Sequence, residues 1–474
     1  MSTTQIERSP ITVNSQSQST ISVKASPSPI ASIPVGALSS DSPIVPHTDG
    51  IELVELGSSR DTTTKGAPGP GPVFPAVTAE MRRKANIQFA ALCWTLFLGG
   101  WSSGATGPLL PRVQEVYKIG FTVVSLLFVF NCVVIVNVYL SDKVGFGWVV
   151  VIGAAVQVAG YAVSVPAPPY AILVLSYFIT GFGVALQDAS ASAFVAALNI
   201  SGATRMGIMH SIYGFGAFCA PLAATQFALM PRWAFFFLIS LGITIPNIVT
   251  LAMVFKFKRQ HELLTEIGQP PAEAATHTKD TANVYRSMMK QKSLHILTLF
   301  MFVYLGAVIT IGGWIVTFLI NERGGGPSAG YVSSGLYGGI TVGRILLIWV
   351  NRKIGERRAV LIYMLTALGL QFIVWFVPSL VGNALAVSFA GVFLGPIYPV
   401  VMNQAGRILP PRLLTGCVSW IGGFGQAGSA FMPFVTGALA SSKGIQSIQP
   451  LIVAMLGLMV VLWLFVPDAD RRDD

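Results

Sequence analysis

The sequence predicts an all-α membrane protein with twelve transmembrane helices in two six-helix bundles. Only 11% of its 474 residues are charged and 53% are hydrophobic, whereas about 25% of the residues in a soluble domain are charged. The apolar residues form twelve runs of roughly 19–28 residues, and about 20 residues cross a bilayer as a helix. A polar segment separates the first six runs from the last six. These three observations together predict the fold class.

Residues 1–85 precede the first apolar run and are rich in Ser, Thr and Pro. Such a segment buries too little apolar surface to fold, so we predict a disordered cytoplasmic tail, and no signal peptide is visible in it. The N-terminal bundle is predicted over 86–256, with spans near 87–110, 121–140, 147–165, 168–190, 204–228 and 233–256. A cytoplasmic linker is predicted over 257–292. The C-terminal bundle is predicted over 293–467, with spans near 293–319, 329–350, 359–377, 380–402, 413–439 and 447–467. A short cytoplasmic tail, 468–474, follows it.

The Lys and Arg residues near the ends of the spans predict the orientation, because cytoplasmic loops carry the excess of positive charge. Twenty of them lie on one side of the predicted membrane. The other side has five, namely Arg112, Lys118, Arg232, Arg323 and Lys443. Both termini and the linker are therefore predicted to be cytoplasmic. The net charge of +10 is then loop charge and does not indicate nucleic-acid binding. We expect a multi-pass protein of the plasma membrane, with the vacuole or another endomembrane as alternatives.

Asp188 lies inside the predicted fourth span, and of the chain's 20 acidic residues it alone falls within a span. A charge in a spanning segment costs several kcal/mol unless it faces water or a partner, so it marks a functional site by default. Burial favours the protonated form of a carboxylate, which makes Asp188 a candidate proton carrier. A fixed substrate ligand and a structural hydrogen-bond partner are the alternatives.

Two basic side chains also fall within predicted spans. Histidine titrates near neutrality, so His210 in the fifth span is a candidate proton relay. A neutral histidine bonded to a neighbouring helix is an equal alternative. Arg344 lies about two turns inside the predicted cytoplasmic end of the eighth span. A latch to the adjacent loop or to helix-end carbonyls is favoured for it over a contact with substrate.

The sequence contains no HExxH motif, no Walker-type glycine loop and no nucleophile elbow. The four cysteines lie in apolar runs and have no metal-binding spacing: Cys93, Cys132, Cys219 and Cys417. We therefore expect no enzyme activity, no metal site and no cofactor. Without a nucleotide site, an ion gradient or the gradient of a solute is the expected energy source.

Twelve spans arranged as six plus six around a charged central loop resemble the major facilitator superfamily. Two short motifs support this resemblance. SDKVG at 141–145 stands between spans two and three, and RKIGERR at 352–358 stands between spans eight and nine. In that superfamily these loops hold the cytoplasmic ends of the helices together. The resemblance implies a cytoplasmic latch made of Asp142, Lys143, Gly145, Arg344, Arg352 and Gly355.

A narrower resemblance is to the fucose-permease-like branch, including its fungal members. It rests on four stretches, 181–188 (GFGVALQD), 210–217 (HSIYGFGA), 312–318 (GGWIVTF) and 395–399 (GPIYP). The branch tends to carry an acid where Asp188 stands, tied there to proton coupling and substrate binding. Two other acids of the branch are missing, because the stretch around Gly107 is apolar and Val308 replaces a glutamate. Tyr177 stands where drug exporters of the superfamily carry an arginine.

The resemblance implies a secondary active transporter whose halves rock about a site near the bilayer midplane. The expected lining and proton pathway consist of Asp188, Gln187, His210, Tyr213, Tyr304, Trp314, Tyr337, Asn403 and Gln404. The expected partners are a small organic solute, protons if transport is proton-coupled, and the lipid bilayer, and we expect a monomer. The missing acids and the aromatic lining favour export of a metabolite slightly over uptake by a sugar:proton symporter. A non-transporting nutrient receptor on the same fold is the alternative from another functional class.

Overall fold

The computed structural model describes residues 78–129, 144–198, 202–269, 281–410 and 413–467, and these residues form helices without β-strands. The N-terminal half contains α1 (Ala79–Tyr117), α2 (Phe121–Val124), α3 (Leu126–Val129), α4 (Phe146–Ser164), α5 (Tyr170–Ala196), α6 (Gly202–Ala228) and α7 (Phe236–Phe255). Two short helices follow, α8 (Gln260–Glu266) and α9 (Thr281–Met289). The C-terminal half contains α10 (Lys292–Arg323), α11 (Tyr331–Ile354), α12 (Glu356–Phe376), α13 (Leu380–Leu394), α14 (Ile397–Ile408), α15 (Leu414–Lys443) and α16 (Ile448–Leu464).

Each predicted span corresponds to helical structure, although only 121–129 of the second span belongs to the described residues. In the described part of the chain, nine helices are long and apolar enough to cross a membrane. The first helix is longer than predicted, because it begins at Ala79, inside the segment assigned to the tail. The Thr78 side chain caps it by accepting a hydrogen bond from the backbone N–H of Met81 at 3.2 Å. Hydropathy misses this polar first turn, although its Ala, Met, Arg and Lys residues are good helix formers. The rest of the predicted tail, 1–77, lies outside the described residues.

The predicted tenth span is broken into α13 and α14 at Gly395 and Pro396. Proline has no backbone N–H, so Pro396 cannot donate to the preceding turn of helix. Pro399 lies four residues after Gly395 and likewise cannot donate to the Gly395 carbonyl. The break therefore leaves a main-chain acceptor free in the middle of the span.

The two halves repeat the same helix pairings. Helix α1 packs on α6 in the first half as α10 packs on α15 in the second, and the α4–α5 pair corresponds to α12–α13. Both long pairs depend on glycine for their close approach. A Cβ on Gly100 would lie 1.9 Å from the Tyr213 carbonyl oxygen, and a Cβ on Gly428 would lie 2.0 Å from that of Phe302. Small residues at such crossings let helix backbones approach closely within a membrane.

The halves meet along α1 with α10, α2 and α3 with α15, and α6 with α11. Trp314 of α10 is fully buried at this interface, and its indole N–H donates to the Pro433 carbonyl at 3.0 Å. The rings of Phe121 and Phe128 from the first half pack against it, with centroids 6.0 and 6.2 Å away. Aromatic pairs at this spacing stabilise a contact beyond the area they bury. One apolar core therefore continues from one half into the other.

Part of the predicted linker packs against the first half. Leu263 and Leu264 of α8 are each 1% exposed and join the same buried cluster as Phe146 and Phe255. The backbone N–H of Gly147 donates to the Lys258 carbonyl at 2.9 Å. Residues 257–267 thus close the predicted cytoplasmic end of the bundle. Residues 270–280 lie outside the part of the chain that the structure describes.

Candidate functional site

Asp188 lies on α5 and faces the other half of the molecule. Gly183, five residues earlier, packs against α4 so closely that a Cβ there would lie 2.5 Å from the Gly153 carbonyl oxygen. This contact fixes which face of α5 points into the N-terminal bundle. Asp188 lies off that face and is half-buried. Its Oδ1 atom is buried and has no hydrogen-bond partner among the described residues. An unpaired carboxylate oxygen in this setting is costly, so it needs a proton or a ligand.

Gln187, although adjacent in sequence, belongs to a different environment. Successive helical residues are rotated by about 100°, so its side chain enters the bundle that Asp188 faces away from. Its amide nitrogen donates to the Gln157 side chain at 3.0 Å, and its oxygen accepts from Asn247 at 3.1 Å. Thr95 extends this chain by donating to Asn247 at 3.3 Å. The structure therefore places Gln187 in a buried polar network that ties α1, α4, α5 and α7 together, apart from Asp188.

Two tyrosines from opposite halves lie near the Asp188 carboxylate. Tyr213 on α6 and Tyr398 on α14 each lie within electrostatic range of both Asp188 and Arg344. The Tyr213 hydroxyl forms a hydrogen bond of 2.7 Å with Ser103 of α1. Tyr398 was absent from the residues predicted for the site. It belongs to the GPIYP stretch, where the prolines were the available signal of irregular backbone.

Arg344 of α11 connects three helices. Its Nη1 group donates to the backbone carbonyl of His210 on α6 at 2.7 Å, and its Nε group donates to the Gly395 carbonyl at 3.3 Å. The second acceptor is the one that Pro399 leaves free. Gly214 makes the approach possible, because a Cβ there would lie 2.5 Å from the Thr341 hydroxyl. The guanidinium thus bonds across the two halves through main-chain oxygens.

His210 contributes to this contact mainly through its backbone. Its ring lies beside that of Tyr398, with centroids 5.6 Å apart. Arg344 lies beside it, because its guanidinium is bonded to the His210 carbonyl. His210, Tyr398 and Arg344 therefore form one cluster that spans the two halves. Tyr213 and Asp188, both from the N-terminal half, lie beside it.

The remaining predicted lining residues do not form a single group. The Tyr304 hydroxyl donates to the Leu394 carbonyl at 3.0 Å, beside the break between α13 and α14. Tyr337 packs against Gly312, and Trp314 is held in the interface already described. Gln404 is buried. Asn403 is exposed and lies five residues after Tyr398 on α14, about 7.5 Å along the helix towards its predicted cytoplasmic end.

Asn403 belongs to a polar cluster at the end of α14. Its amide donates to Glu356 at 2.6 Å, and Arg407 pairs with the same carboxylate at 3.5 Å. Glu356 opens α12 directly after Gly355, whose φ of +85° suits glycine. This is the RKIGERR loop, and Arg352 is exposed beside it. The cluster ties α12 to α14 and resembles the latch predicted for this loop. Asn403, which the sequence analysis placed in the lining of the central site, belongs to this cluster.

The corresponding loop of the first half is only partly described. Asp142 and Lys143 lie outside the described residues. Gly145 precedes α4 and has a φ of +95°. A Cβ added to Gly145 would lie 3.4 Å from the Arg259 side chain. Arg259, which directly precedes α8, therefore packs against Gly145 at the end that the charges predict to be cytoplasmic.

Comparisons with known proteins agree with this architecture. The sequence model of the Major Facilitator Superfamily matches residues 92–415 and 327–474. Bypass of stop codon protein 6 of Saccharomyces cerevisiae is 24% identical over 411 residues, which cover 81% of this chain and 82% of that protein. A glucose/galactose transporter of Brucella abortus is 24% identical over 399 residues, covering 77% and 91%.

Solved structures with the same fold include two proton symporters. The E. coli fucose:proton symporter FucP is 18% identical and superimposes with a TM-score of 0.56, covering 80% of this chain and 98% of that one. A D-xylose-proton symporter is 13% identical and superimposes with a TM-score of 0.66, covering 81% and 98%. At these identities the likeness concerns the fold.

Proposed function

This chain belongs to the Major Facilitator Superfamily, and on that premise we propose that it carries a small organic solute by alternating access, with Asp188 as the proton-carrying group. The superfamily and the fold make it a membrane transport protein and not an enzyme. The observation that supports the proposal is the buried, unpartnered Oδ1 atom of Asp188. A proton removes the cost of that oxygen in one state, and solute or water can satisfy it in another.

Coupling requires that the surroundings of Asp188 change when the halves move. Tyr213 shares the half of Asp188, whereas Tyr398 and Arg344 belong to the other half. A rocking motion therefore alters the distance between Asp188 and two of these three groups. Because the cost of a charged carboxylate depends on its access to water, a motion that changes the surroundings of Asp188 changes its affinity for a proton. His210 is the second candidate for a proton relay in this cluster.

The side chains around Asp188 suit a hydroxyl-bearing solute. Tyr213, Tyr398 and Ser103 bring hydroxyl groups that donate and accept hydrogen bonds, and aromatic rings supply an apolar surface. The names of the relatives include glucose, galactose, fucose and xylose. Uptake of a sugar with protons and export of a metabolite against protons remain two directions of the same proposal. The aromatic surface around the Phe97 and Phe215 rings favours the second for a less hydrophilic solute.

Proteoliposomes with an imposed pH gradient and a panel of labelled solutes test the proposal. Movement of solute with the proton flow indicates symport, and movement against it indicates antiport. Asp188→Asn keeps the shape of the side chain, so we expect it to fold and to exchange solute but not to accumulate it. Asp188→Glu should retain part of the activity with a shifted pH optimum.

Glu80→Gln is the matched control, because Glu80 pairs with Lys84 on an exposed surface. It should accumulate solute as the parent does. An Asp188→Asn protein that accumulates solute with the parent's pH dependence would eliminate the proton role. Failure of the parent to move any solute in the panel, while still binding one, would instead favour the nutrient receptor.

A further inference from the structure

A vestibule opens between the halves at the predicted extracellular end, remote from Asp188. Its volume is ≈ 630 Å³, within the range of about 300–1,000 Å³ that is typical of small-molecule sites. Residues of α1 and the end of α6 form one wall, and the end of α10 forms the other. Both halves therefore contribute to it.

The vestibule has a closed floor. Gly107 of α1 crosses Gly312 of α10 so closely that a Cβ on Gly107 would lie 2.2 Å from the Gly312 carbonyl oxygen. Phe121 lines the vestibule and packs on Trp314 beneath it. Tyr213 packs against Gly99, eight residues before Gly107 on α1, which is about 12 Å along a helix. The vestibule and the Asp188 cluster are thus separate compartments.

The polar groups of the vestibule are few and unevenly satisfied. Arg112 pairs with Glu115 at 2.7 Å, but its Nε–H is buried and has no partner among the described residues. Asn321 donates to the Thr317 carbonyl at 2.8 Å, which leaves its oxygen as an acceptor. Gln114 adds an amide. A donor and acceptors therefore line the same cavity as the apolar Pro108 and Phe121.

This combination selects for a particular ligand chemistry. The Arg112–Glu115 pair carries no net charge, so it does not favour an ion. A hydroxyl group both donates and accepts, so it satisfies the Arg112 Nε–H and the Asn321 oxygen alike. Pro108 and Phe121 present apolar surface to the C–H face of a ring. The fitting ligand is a neutral, polyhydroxylated molecule the size of a monosaccharide.

We propose that this vestibule is an outer binding site for such a solute, occupied before the Gly107–Gly312 floor opens towards the central cluster. The inference rests on the proposed transport function and names the solute class for it. A hydrogen bond to the buried Nε–H of Arg112 would contribute to the affinity for the solute. A channel entrance without a binding site would make no such contribution.

Protection of a cysteine from labelling tests the site in the purified full-length protein. The background is a variant with Cys→Ser at 93, 132, 219 and 417 that still transports solute, and Leu229→Cys, at an exposed apolar position of the vestibule wall, is added to it. D-glucose is the probe and sodium lactate is the charged control. At a glucose concentration about twice Kd, labelling by a maleimide should slow about threefold, because the free fraction falls to a third. Ser442→Cys, exposed at the same end outside the vestibule, should label at an unchanged rate.

Two further variants separate this site from the central one. Protection should persist in Asp188→Asn and disappear in Arg112→Gln, or in Gln114→Ala if Arg112→Gln fails to fold. Absence of protection in the parent overturns the outer site, as does protection that survives both vestibule variants. Protection by lactate but not by glucose overturns the neutral ligand class. A transport failure confined to Asp188→Asn, with protection intact, bears on the proposed function alone.

Discussion

The crossing of Gly107 and Gly312 makes a quantitative prediction about conformation. Ordinary contact begins at 3.4 Å, but an alanine Cβ at position 107 would lie 2.2 Å from a main-chain oxygen, which has no rotamer by which to move away. Helices α1 and α10 must therefore separate by about 1.2 Å. Overpacking of this kind costs about 1–3 kcal/mol. Because Gly107 and Gly312 belong to opposite halves, the cost is borne by the conformation in which the halves touch here. We expect Gly107→Ala to shift the population away from it about 5- to 150-fold.

Accessibility of Val316 measures that shift. Val316 lines the vestibule wall and is 1% exposed, so Val316→Cys in the cysteine-free background should react slowly with a maleimide. Adding Gly107→Ala should accelerate the reaction by the population factor. Gly242→Ala is the control, since a Cβ there meets nothing within 4 Å. If Gly107→Ala leaves the labelling rate unchanged while the protein stays folded, the crossing does not hold the halves together and the reasoning is wrong.

Three other predictions follow from the contacts between helices and from the loop charges. Arg344→Gln should raise labelling of Thr341→Cys about 10- to 100-fold, because a hydrogen bond from a charged donor contributes about 1.5–3 kcal/mol; Arg344→Lys should restore only part, and equal rates in all three proteins would contradict the bridge. Asn199 begins the glycosylation sequence Asn-Ile-Ser at 199–201, which the charges place in a cytoplasmic loop, so it should carry no glycan in a eukaryotic host; a mass shift lost in Asn199→Gln would show that the orientation is inverted. Leu264→Ala should cost about 2–5 kcal/mol and lower the thermal midpoint, whereas deleting 270–277 should leave folding and delivery intact; the opposite result would reverse the roles of the two linker parts.

The helices could be predicted from the sequence because the bilayer imposes one strong rule. Apolar runs of the required length must be helical where no water can satisfy the backbone. That rule identifies spans but not their polar extensions. The apolar run predicted that α1 begins near 87, eight residues after its actual start at Ala79. Hydropathy does not detect a capping residue or a charged first turn. It also treated 380–402 as one helix, although Pro396 and Pro399 were visible signals of the break at Gly395.

The composition of the cluster near Asp188 was only partly visible in the sequence. An acid in a span is conspicuous by its cost, so Asp188 could be found without a structure. The residues that face Asp188 depend on how each helix is rotated and where the helices cross. Neither quantity can be read from the identity of a single residue. Gln187 and Asn403 are polar and close in sequence to Asp188 and Tyr398, yet their side chains bond to Gln157 and Glu356. Tyr398 needed the fold to bring α14 beside α6.

The positions of the interior charges suggest how small the balance between conformations is. The described spans carry one acid in their interior, Asp188 in the first half, and Arg344 lies in the second half with its bond to the His210 carbonyl. Breaking that bond costs an amount of the same order as the few kcal/mol that separate two functional conformations. The Gly107–Gly312 crossing lies nearer the predicted extracellular end of the interface, and an alanine at position 107 would penalise that contact on the same scale. The proposed rocking motion therefore has one close contact between the halves to break towards each end of the interface. In the proposed transport cycle, a proton on Asp188 biases which contact breaks, because neutralising it removes one charge from a region of low dielectric.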